Sequence, residues 1–198
     1  MLKDEKLVIA SNNYFKVKEI KKILIGIFEK IVSMKEIGLD IDLEETGDTF
    51  EENAILKARV VAKTANCWAL ADDSGLCVDA LGGKPGVFSS RWSGGGDEAN
   101  NKKLLKEMRG MKNRMAQYKC VMALANPGGC VLTAEGRCEG VIGHEPKGRE
   151  GFGYDPLFVV PGWVCTMAEL PEEEKNAISH RGIALRELVV KMQKMGFI

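Results

Sequence analysis

Short apolar runs alternate with polar turns in the first half of the chain, a pattern that predicts strands followed by helices. Residues 7–10 are continuously apolar and predict a buried strand that ends at Ser11. Apolar residues then recur at helical spacing, at Val17, Ile20, Ile23 and Leu24. Thr49 and Glu52 predict a capping box before a helix over 50–64, and 67–71 predicts a strand that ends at Asp72.

The second half predicts a long loop, a strand pair and a final helix. Glycine and serine dominate 82–96, and Asp97 is placed to cap a helix that runs to about Met111. Residues 117–125 and 130–142 predict an antiparallel pair joined by the turn at 126–129, so the sheet is predicted to be mixed. A glycine-rich loop (148–155) and a strand (156–160) follow. Ser179 is predicted to cap the last helix, whose buried stripe is Leu185, Leu188, Val189, Met192 and Met195.

Length and charge limit the class of protein. The 198 residues suffice for one domain with a sizeable core or for two lobes that share a sheet, and we favour the single domain. Basic and acidic side chains number 28 each, so no broad positive field is available for nucleic acid or for an anionic membrane. We therefore expect a small-molecule partner, no nucleic acid and no membrane.

The cysteines and the N-terminal residues predict a cytoplasmic protein. Six cysteines lie in mostly apolar stretches without a C-x-x-C pair or a histidine at metal-binding spacing, which predicts reduced core residues. The first six residues precede only four apolar residues, too few for the core of a signal peptide, and no later run is long enough to span a membrane.

Polar segments at the ends of predicted strands indicate a site for a polyphosphate, a metal ion and a base. Residues 11–16 offer hydroxyl, amide and ammonium donors to phosphate oxygens at the start of a helix, although an ordinary helix cap would look similar. Asp72 and Asp73, followed by a predicted tight turn at Ser74 and Gly75, suggest two carboxylates held close together, with an Asx turn as the alternative. Glu44 and Glu45 add negative charge, which a triphosphate would tolerate only with a divalent cation between them.

Two later segments suit recognition of a base. Residues 151–155 place Phe152 and Tyr154 between flexible glycine positions, which favours stacking on a planar ring, although core aromatics beside a glycine turn are the alternative. His180 and Arg181 begin a helix and could donate to a base carbonyl or a phosphate, with a solvated surface pair as the alternative.

Taken in order and spacing, these segments resemble the inosine triphosphate pyrophosphatase family over nearly the whole chain. The matching positions are Ser11, Asn13 and Lys16, ETGDTFEENAILKA at 45–58, ADDSGL at 71–76, ALGGKPG at 80–86, GFGYDP at 151–156 and KNAISHR at 175–181. Asn12 and Glu150 stand where relatives often have glycine. The resemblance implies an α/β fold with a mixed sheet and flanking helices, two lobes enclosing an active-site cleft, and a homodimer. It also implies Mg²⁺-dependent hydrolysis of inosine and xanthosine triphosphates to a monophosphate and pyrophosphate.

The resemblance and the chemistry together assign roles to individual residues. Asp73 is expected to be the general base and a metal ligand, with Glu44 or Glu45 completing the metal site and Asp72 as a further candidate. His180, Arg181 or backbone donors would accept a 6-oxo purine and reject adenine, whose amino group is itself a donor. Replacement of Arg181 is therefore expected to change substrate preference more than stability. The predicted substrate-binding residues are Ser11, Asn12, Asn13, Tyr14, Phe15, Lys16, Lys57, Ser74, Phe152, Gly153, Tyr154, Asp155, Lys175, His180 and Arg181.

Two other functions remain open from the sequence. A Maf-like pyrophosphatase of related fold would act on pyrimidine or modified nucleotides. A nucleotide-binding sensor without turnover is disfavoured, because a pure binder gains little from several buried like charges.

Overall fold

The fold described below comes from a computed structural model, which describes residue 2 and residues 5–198. The prediction about the N-terminal residues rests partly on Met1, Lys3 and Asp4, which lie outside the described residues. The strands are β1 (Lys6–Ile9), β2 (Lys30–Ser33), β3 (Trp68–Val78), β4 (Met115–Ala125), β5 (Val131–Ile142) and β6 (Phe158–Val159). The helices are α1 (Tyr14–Ile23), α2 (Phe50–Ala65), α3 (Gly96–Glu107), α4 (Glu172–Ile178) and α5 (His180–Lys194).

The six strands form one mixed sheet in the order β2-β1-β3-β4-β5-β6. Strand β1 is parallel to both neighbours, pairing Leu7 with Ile31 of β2 and with Trp68 of β3. Strand β6 is antiparallel to β5, with Ile142 opposite Phe158. The predicted mixed α/β fold is therefore confirmed, as are the turn at 126–129 between β4 and β5 and the capping box at Thr49.

The chain divides into two compact units. Unit 1 comprises residues 1–73, 120–136 and 181–198, and unit 2 comprises 74–119 and 137–180. Strands β3, β4 and β5 each contribute residues to both units.

Unit 1 has an apolar cluster on each face of its strands. Leu70 of β3 and Met122 of β4 pack with Ile20 of α1 and Leu185 of α5. Their sequence neighbours point the other way, as side chains alternate along a strand. Ala69, Ala71 and Val121 accordingly join a second cluster with Ala54, Ala58 and Val61 of α2. Successive residues of β3 therefore face α1 and α5 on one side and α2 on the other.

Unit 2 has its own core. One buried cluster contains Leu76 and Val78 of β3, Leu104 of α3, and Met108, which follows that helix. Tyr154, Leu157 and Phe158 belong to the same cluster. The 3-10 helix Gly86–Phe88 interrupts the predicted loop over 82–96. Ser89, just after it, accepts a hydrogen bond from the amide of Leu76 on its Oγ.

Several predicted boundaries were wrong. Strand β3 continues to Val78, so no turn follows at Ser74 and Gly75. Helix α3 begins after Gly95 rather than Asp97 and ends at Glu107. Met195 is 53% exposed and lies outside the buried stripe of α5. Strand β2 and helix α4 were not predicted from the sequence.

The cysteines are free thiols, as predicted, but only half of them are core residues. Cys77, Cys120 and Cys138 are buried, whereas Cys67, Cys130 and Cys165 are partly exposed. Of the helices in the described part of the chain, none combines the length and the apolar character needed to cross a bilayer.

Candidate active site

Strand β3 separates the two adjacent aspartates of the ADDSG segment. Because they are consecutive in an extended strand, Asp72 faces α1 and α5, like Leu70, and Asp73 faces α2, like Ala71. The sequence suggested a turn that would bring the two carboxylates together. The strand instead gives each carboxylate its own set of partners, so their chemistry differs.

Asp73 lies in a cluster with Lys57 and Glu45. The Lys57 ammonium donates to Asp73 Oδ1 at 2.8 Å, to Glu45 Oε1 at 2.7 Å and to the carbonyl oxygen of Asp72 at 2.9 Å. Asn53 Nδ2, one turn earlier on α2, donates to Asp73 Oδ2 at 3.3 Å. Helix α2 therefore supplies both groups that orient this carboxylate, and its capping box at Thr49 fixes where the helix begins.

The surroundings of Asp73 suit proton transfer near neutral pH. Burial, together with the negative charge of Glu45, raises the pKa of Asp73 to about 6 against the opposing charge of Lys57. Burial by itself would lower the pKa of Lys57, but Asp73 and Glu45 outweigh it and raise that pKa. Asp73 is thus mainly ionised at pH 7 and is a stronger proton acceptor than an ordinary aspartate.

Asp72 lies in a buried network on the opposite face. Its Oδ1 accepts from Lys16 Nζ, and its Oδ2 accepts from Arg181 Nε at 2.8 Å and from Cys120 Sγ at 3.2 Å. Arg181 Nη1 donates in turn to Glu19 Oε2 at 2.6 Å. Burial would raise the pKa of Asp72, but Arg181 and Lys16 outweigh it and hold that pKa well below its usual range. Asp72 is therefore a structural anion and a poor candidate for a general base.

The segment over 11–16 is a capped helix start in which residues 12–15 are exposed. Asn13 is the N-cap of α1 and accepts from the amides of Phe15 at 3.0 Å and Lys16 at 3.2 Å. Ser11 Oγ accepts from the amide of Asn13 at 3.1 Å. Tyr14 and Phe15 are 70% and 47% exposed. The cap interpretation is therefore confirmed, and a phosphate-binding role for this segment stays a prediction.

In unit 2, Asp155 organises the GFGYD loop. Its Oδ2 accepts from the amide of Phe152 at 3.0 Å and from Lys175 Nζ at 2.7 Å, while Oδ1 accepts from Tyr118 OH at 3.2 Å. The Lys175 ammonium also lies 5.0 Å from the centre of the Phe152 ring. Asp155 is 4% exposed, so it orders the loop rather than presenting a free carboxylate.

Two of the predicted base-binding side chains differ in accessibility. Tyr154 is buried, and its hydroxyl donates to the carbonyl of Ser89 at 2.8 Å. Phe152 is partly exposed. Gly153 between them is held by Asp97, which accepts from its amide at 2.7 Å, and by Asn101, which donates to its carbonyl at 2.9 Å. Phe152 is therefore the better candidate for stacking on a base, and Tyr154 belongs to the core.

His180 and Arg181 are both buried, at 6% and 2% exposure, so the alternative of a solvated surface pair was wrong. The His180 ring stacks on Tyr118, with ring centres 4.6 Å apart and planes 11° apart. The guanidinium of Arg181 instead contacts carboxylates in unit 1, which indicates a contribution to stability that the sequence did not suggest.

Sequence reasoning missed three residues that position the predicted ones: Glu19, Asn53 and Tyr118. Glu19 follows Lys16 by three positions, which places both on one face of α1, and Asn53 precedes Lys57 by four positions on α2. These spacings could have been noticed. Tyr118 lies in an apolar strand with no such signal.

The predicted metal ligands were Glu44, Glu45 and Asp73. Among residue 2 and residues 5–198, no group of three or more histidine, cysteine, aspartate or glutamate side chains is placed to hold a metal ion. Glu45 and Asp73 do converge on one cation, the Lys57 ammonium, while Glu44 is exposed. Two carboxylates of this kind fit Mg²⁺, which commonly takes one or two protein carboxylates and completes its shell with phosphate oxygens and water.

The fold agrees with comparisons to known proteins, and the chain belongs to the Ham1 family. The sequence profile of that family matches residues 7–191. A dITP/XTP pyrophosphatase of Bacillus subtilis is 50% identical over 185 residues, covering 91% of this chain and 93% of the relative. A protein of the same name from Geobacter sulfurreducens is 51% identical over 184 residues, covering 91% and 92%. The solved structure of a HAM1 protein from Coxiella burnetii is 43% identical, with a TM-score of 0.86 over 96% of this chain and 99% of that one.

Proposed function

We propose that this chain hydrolyses non-standard purine nucleoside triphosphates, namely ITP, dITP and XTP, to the nucleoside monophosphate and pyrophosphate. The observation on which the proposal depends is the Asp73–Lys57–Glu45 cluster. It combines a buried carboxylate of raised pKa with an ammonium and a second carboxylate. The names of the relatives at about half identity, dITP/XTP pyrophosphatases, support the same activity.

In this proposal Asp73 accepts a proton from the water that attacks the α phosphorus. Asn53 and Lys57 orient the carboxylate, so that it does not need to reorganise during the reaction. Hydrolysis breaks the bond between the α phosphorus and the bridging oxygen, and pyrophosphate leaves with that oxygen. Attack by water needs no covalent enzyme intermediate.

The phosphates are proposed to bind to Lys16, Lys57 and the donors of Ser11, Asn13 and Ser74. The same segment adds Asn12, Tyr14 and Phe15, which are exposed at the positive end of α1. Glu45 and Asp73, with Glu44 as a further candidate, would hold Mg²⁺. When bound, this ion would neutralise phosphate charge and stabilise the leaving pyrophosphate.

The base is proposed to stack on Phe152 and to be read by His180. An imidazole N–H can donate to the O6 of hypoxanthine or xanthine, whereas the 6-amino group of adenine leaves that donor without an acceptor. Gly153 and Lys175 would border the ring. Asp155 and Tyr154 belong to the same segment and would act by ordering it. A base contact by Arg181 stays a prediction.

A panel of nucleotides tests the proposal. The purified protein is incubated with Mg²⁺ and ITP, XTP, dITP, ATP, GTP, CTP or UTP, and pyrophosphate and orthophosphate are measured separately. We expect pyrophosphate from ITP, XTP and dITP at rates well above those for ATP. Preference for pyrimidine nucleotides would favour the Maf-like alternative, and tight binding of ITP without turnover would favour the sensor.

The proposal includes a cytoplasmic location, where the nucleotide pool lies, and a homodimer. A net charge of zero removes long-range repulsion between copies of the chain. Sedimentation equilibrium across a range of protein concentrations would detect the dimer as a doubled mass. A mass near 21.7 kDa throughout would contradict it.

A further inference from the structure

Four charged side chains of unit 1 form a continuous chain of alternating sign. Glu19 accepts from Arg181 at 2.6 Å, Arg181 donates to Asp72 at 2.8 Å, and the other oxygen of Asp72 accepts from Lys16. We call these four residues the charge chain. Its two ends, Glu19 and Lys16, lie one helical turn apart on α1. Between them, Arg181 belongs to α5 and Asp72 to β3.

Both ends of the charge chain are more exposed to solvent than its middle, and the Lys16 end is the more exposed of the two. The side chains of Arg181 and Asp72 are 2% and 0% exposed, and that of Glu19 is 8% exposed. The side chain of Lys16, at 16%, is the most accessible of the four. A dissolved anion can therefore reach the chain at the Lys16 ammonium, while the other three residues determine where that ammonium is held.

We propose that Glu19 is a positioning residue that orders the Lys16 ammonium for binding of a polyphosphate, acting through Arg181 and Asp72. The proposal rests on the proposed function in one respect, the assignment of Lys16 to the phosphates. A flexible lysine side chain loses rotational freedom when it binds a ligand, and fixing it in advance removes part of that cost.

The role of Glu19 follows from competition for Asp72. A guanidinium has a planar set of donors that matches both oxygens of a carboxylate, so Arg181 could take both oxygens of Asp72. In the structure Arg181 divides its donors between Asp72 Oδ2 and Glu19 Oε2, which leaves Asp72 Oδ1 to Lys16. Without the negative charge of Glu19, Arg181 shifts toward Asp72 and Lys16 loses its fixed partner.

The test is a double-variant cycle on phosphate binding. Affinity for inorganic tripolyphosphate is measured by calorimetry without divalent cations for the parent, Glu19→Gln, Lys16→Gln and the double variant. Loss of a charge-assisted contact predicts about tenfold weaker binding for Glu19→Gln. If Glu19 acts through Lys16, the double variant binds no more weakly than Lys16→Gln alone. Additive losses, or parental affinity in Glu19→Gln, would overturn the proposal.

Kinetics with ITP and Mg²⁺ separate this inference from the proposed function. We expect Glu19→Gln to raise KM about as much as it weakens tripolyphosphate binding, with kcat within about twofold, because a phosphate contact made before and during the reaction is lost. A parent that fails to release pyrophosphate from ITP while the binding cycle behaves as expected refutes the function and leaves the inference standing. If the parent releases pyrophosphate from ITP but Glu19→Gln has the parental KM, the inference is refuted and the proposed function stands.

Two controls exclude a general effect on folding. Glu36→Gln removes the carboxylate that pairs with Lys21, another residue of α1, and should leave tripolyphosphate affinity and KM unchanged. If Glu19→Gln does not fold, Glu19→Asp keeps the charge on a shorter side chain. An intermediate loss of affinity in this variant supports the proposal, and parental affinity contradicts it.

Discussion

At the scale of single residues, Asp72 and Asp73 show how neighbours of one type acquire different roles. Strand geometry directs Asp72 to two cations in a buried network and Asp73 to one ammonium beside a second carboxylate. Their pKa values move in opposite directions, well below the usual range for Asp72 and up to about 6 for Asp73. Only Asp73 therefore has the properties of a general base near neutral pH.

Matched substitutions test this division of roles. Asp73→Asn should lower the turnover of ITP by roughly 10²- to 10⁴-fold, the usual range for loss of a general base, with a small change in stability. Asp72→Asn removes the negative charge that Arg181 and Lys16 share in the buried network, leaving Glu19 as the counter-charge of Arg181, and should lower the free energy of unfolding by roughly 3–5 kcal/mol. Turnover and thermal unfolding are measured on both variants. Near-parental turnover in a folded Asp73→Asn would place the base elsewhere.

At the scale of elements, α2 and α1 bring Lys57 and Lys16 to β3 from opposite faces. Thr49 Oγ1 accepts from the amide of Glu52 at 3.1 Å, and Glu52 Oε2 accepts from the amide of Thr49 at 3.2 Å. This reciprocal cap starts α2 one turn before Asn53 and two turns before Lys57. The sequence signal for the cap thus also locates the residues that orient Asp73.

Thr49→Ala should destabilise the protein by about 1 kcal/mol, because an amide at the start of α2 loses its acceptor. Thr64→Ala is the matched control on the same helix. Its hydroxyl donates to the carbonyl of Val60 at 2.9 Å, and such a bond adds little to helix stability. Denaturant unfolding of both variants measures the difference. Equal stability of the two variants would mean that packing of α2, rather than its cap, fixes the helix start.

Glu36 links α1 to the segment after β2, and its hydrogen bonds predict that the stability of the protein depends on pH. Hydrogen bonds from Lys21 and from the amide and hydroxyl of Ser33 lower the pKa of Glu36 from 4.5 to about 2. Its contribution to stability is therefore present above pH 4.5 and is lost as the pH falls toward 2. The contribution is small, because Glu36 is exposed and solvent screens the pair.

We expect Glu36→Gln to melt below the parent at pH 7, with a difference that shrinks as the pH falls below about 4.5 and as salt is added. Glu29→Gln makes the same change at another exposed glutamate and should melt like the parent at each pH. Melting temperatures across this pH range supply the measurement. A constant difference at all pH values would exclude ionisation of Glu36 as its source.

At the scale of the whole molecule, the charges are balanced by the chain itself. Basic and acidic side chains are equal in number, and the Lys57 ammonium lies between the two carboxylates proposed to bind Mg²⁺. The Lys57 ammonium offsets one of these two negative charges, so we expect the protein to fold without a bound metal ion. A metal that enters with the nucleotide would act on catalysis alone.

Removal of divalent metal tests this expectation. EDTA should abolish hydrolysis of ITP, and excess Mg²⁺ should restore it, while the melting temperature of the nucleotide-free protein stays the same with and without EDTA. A marked fall in melting temperature on addition of EDTA would show that a metal ion belongs to the folded structure. Full activity in EDTA would show that Lys57 and Lys16 suffice to neutralise the phosphates.

The sequence by itself determined the features that depend on local spacing. These were the mixed sheet, the capping box of α2, the hairpin turn at 126–129 and the segments that match the family. Tertiary structure alone decided that β3 continues through Asp72 and Asp73 and that Glu19 reaches Arg181, 162 positions away. The physical reason is that a buried charge needs an opposite charge, and folding, rather than proximity along the chain, supplies it.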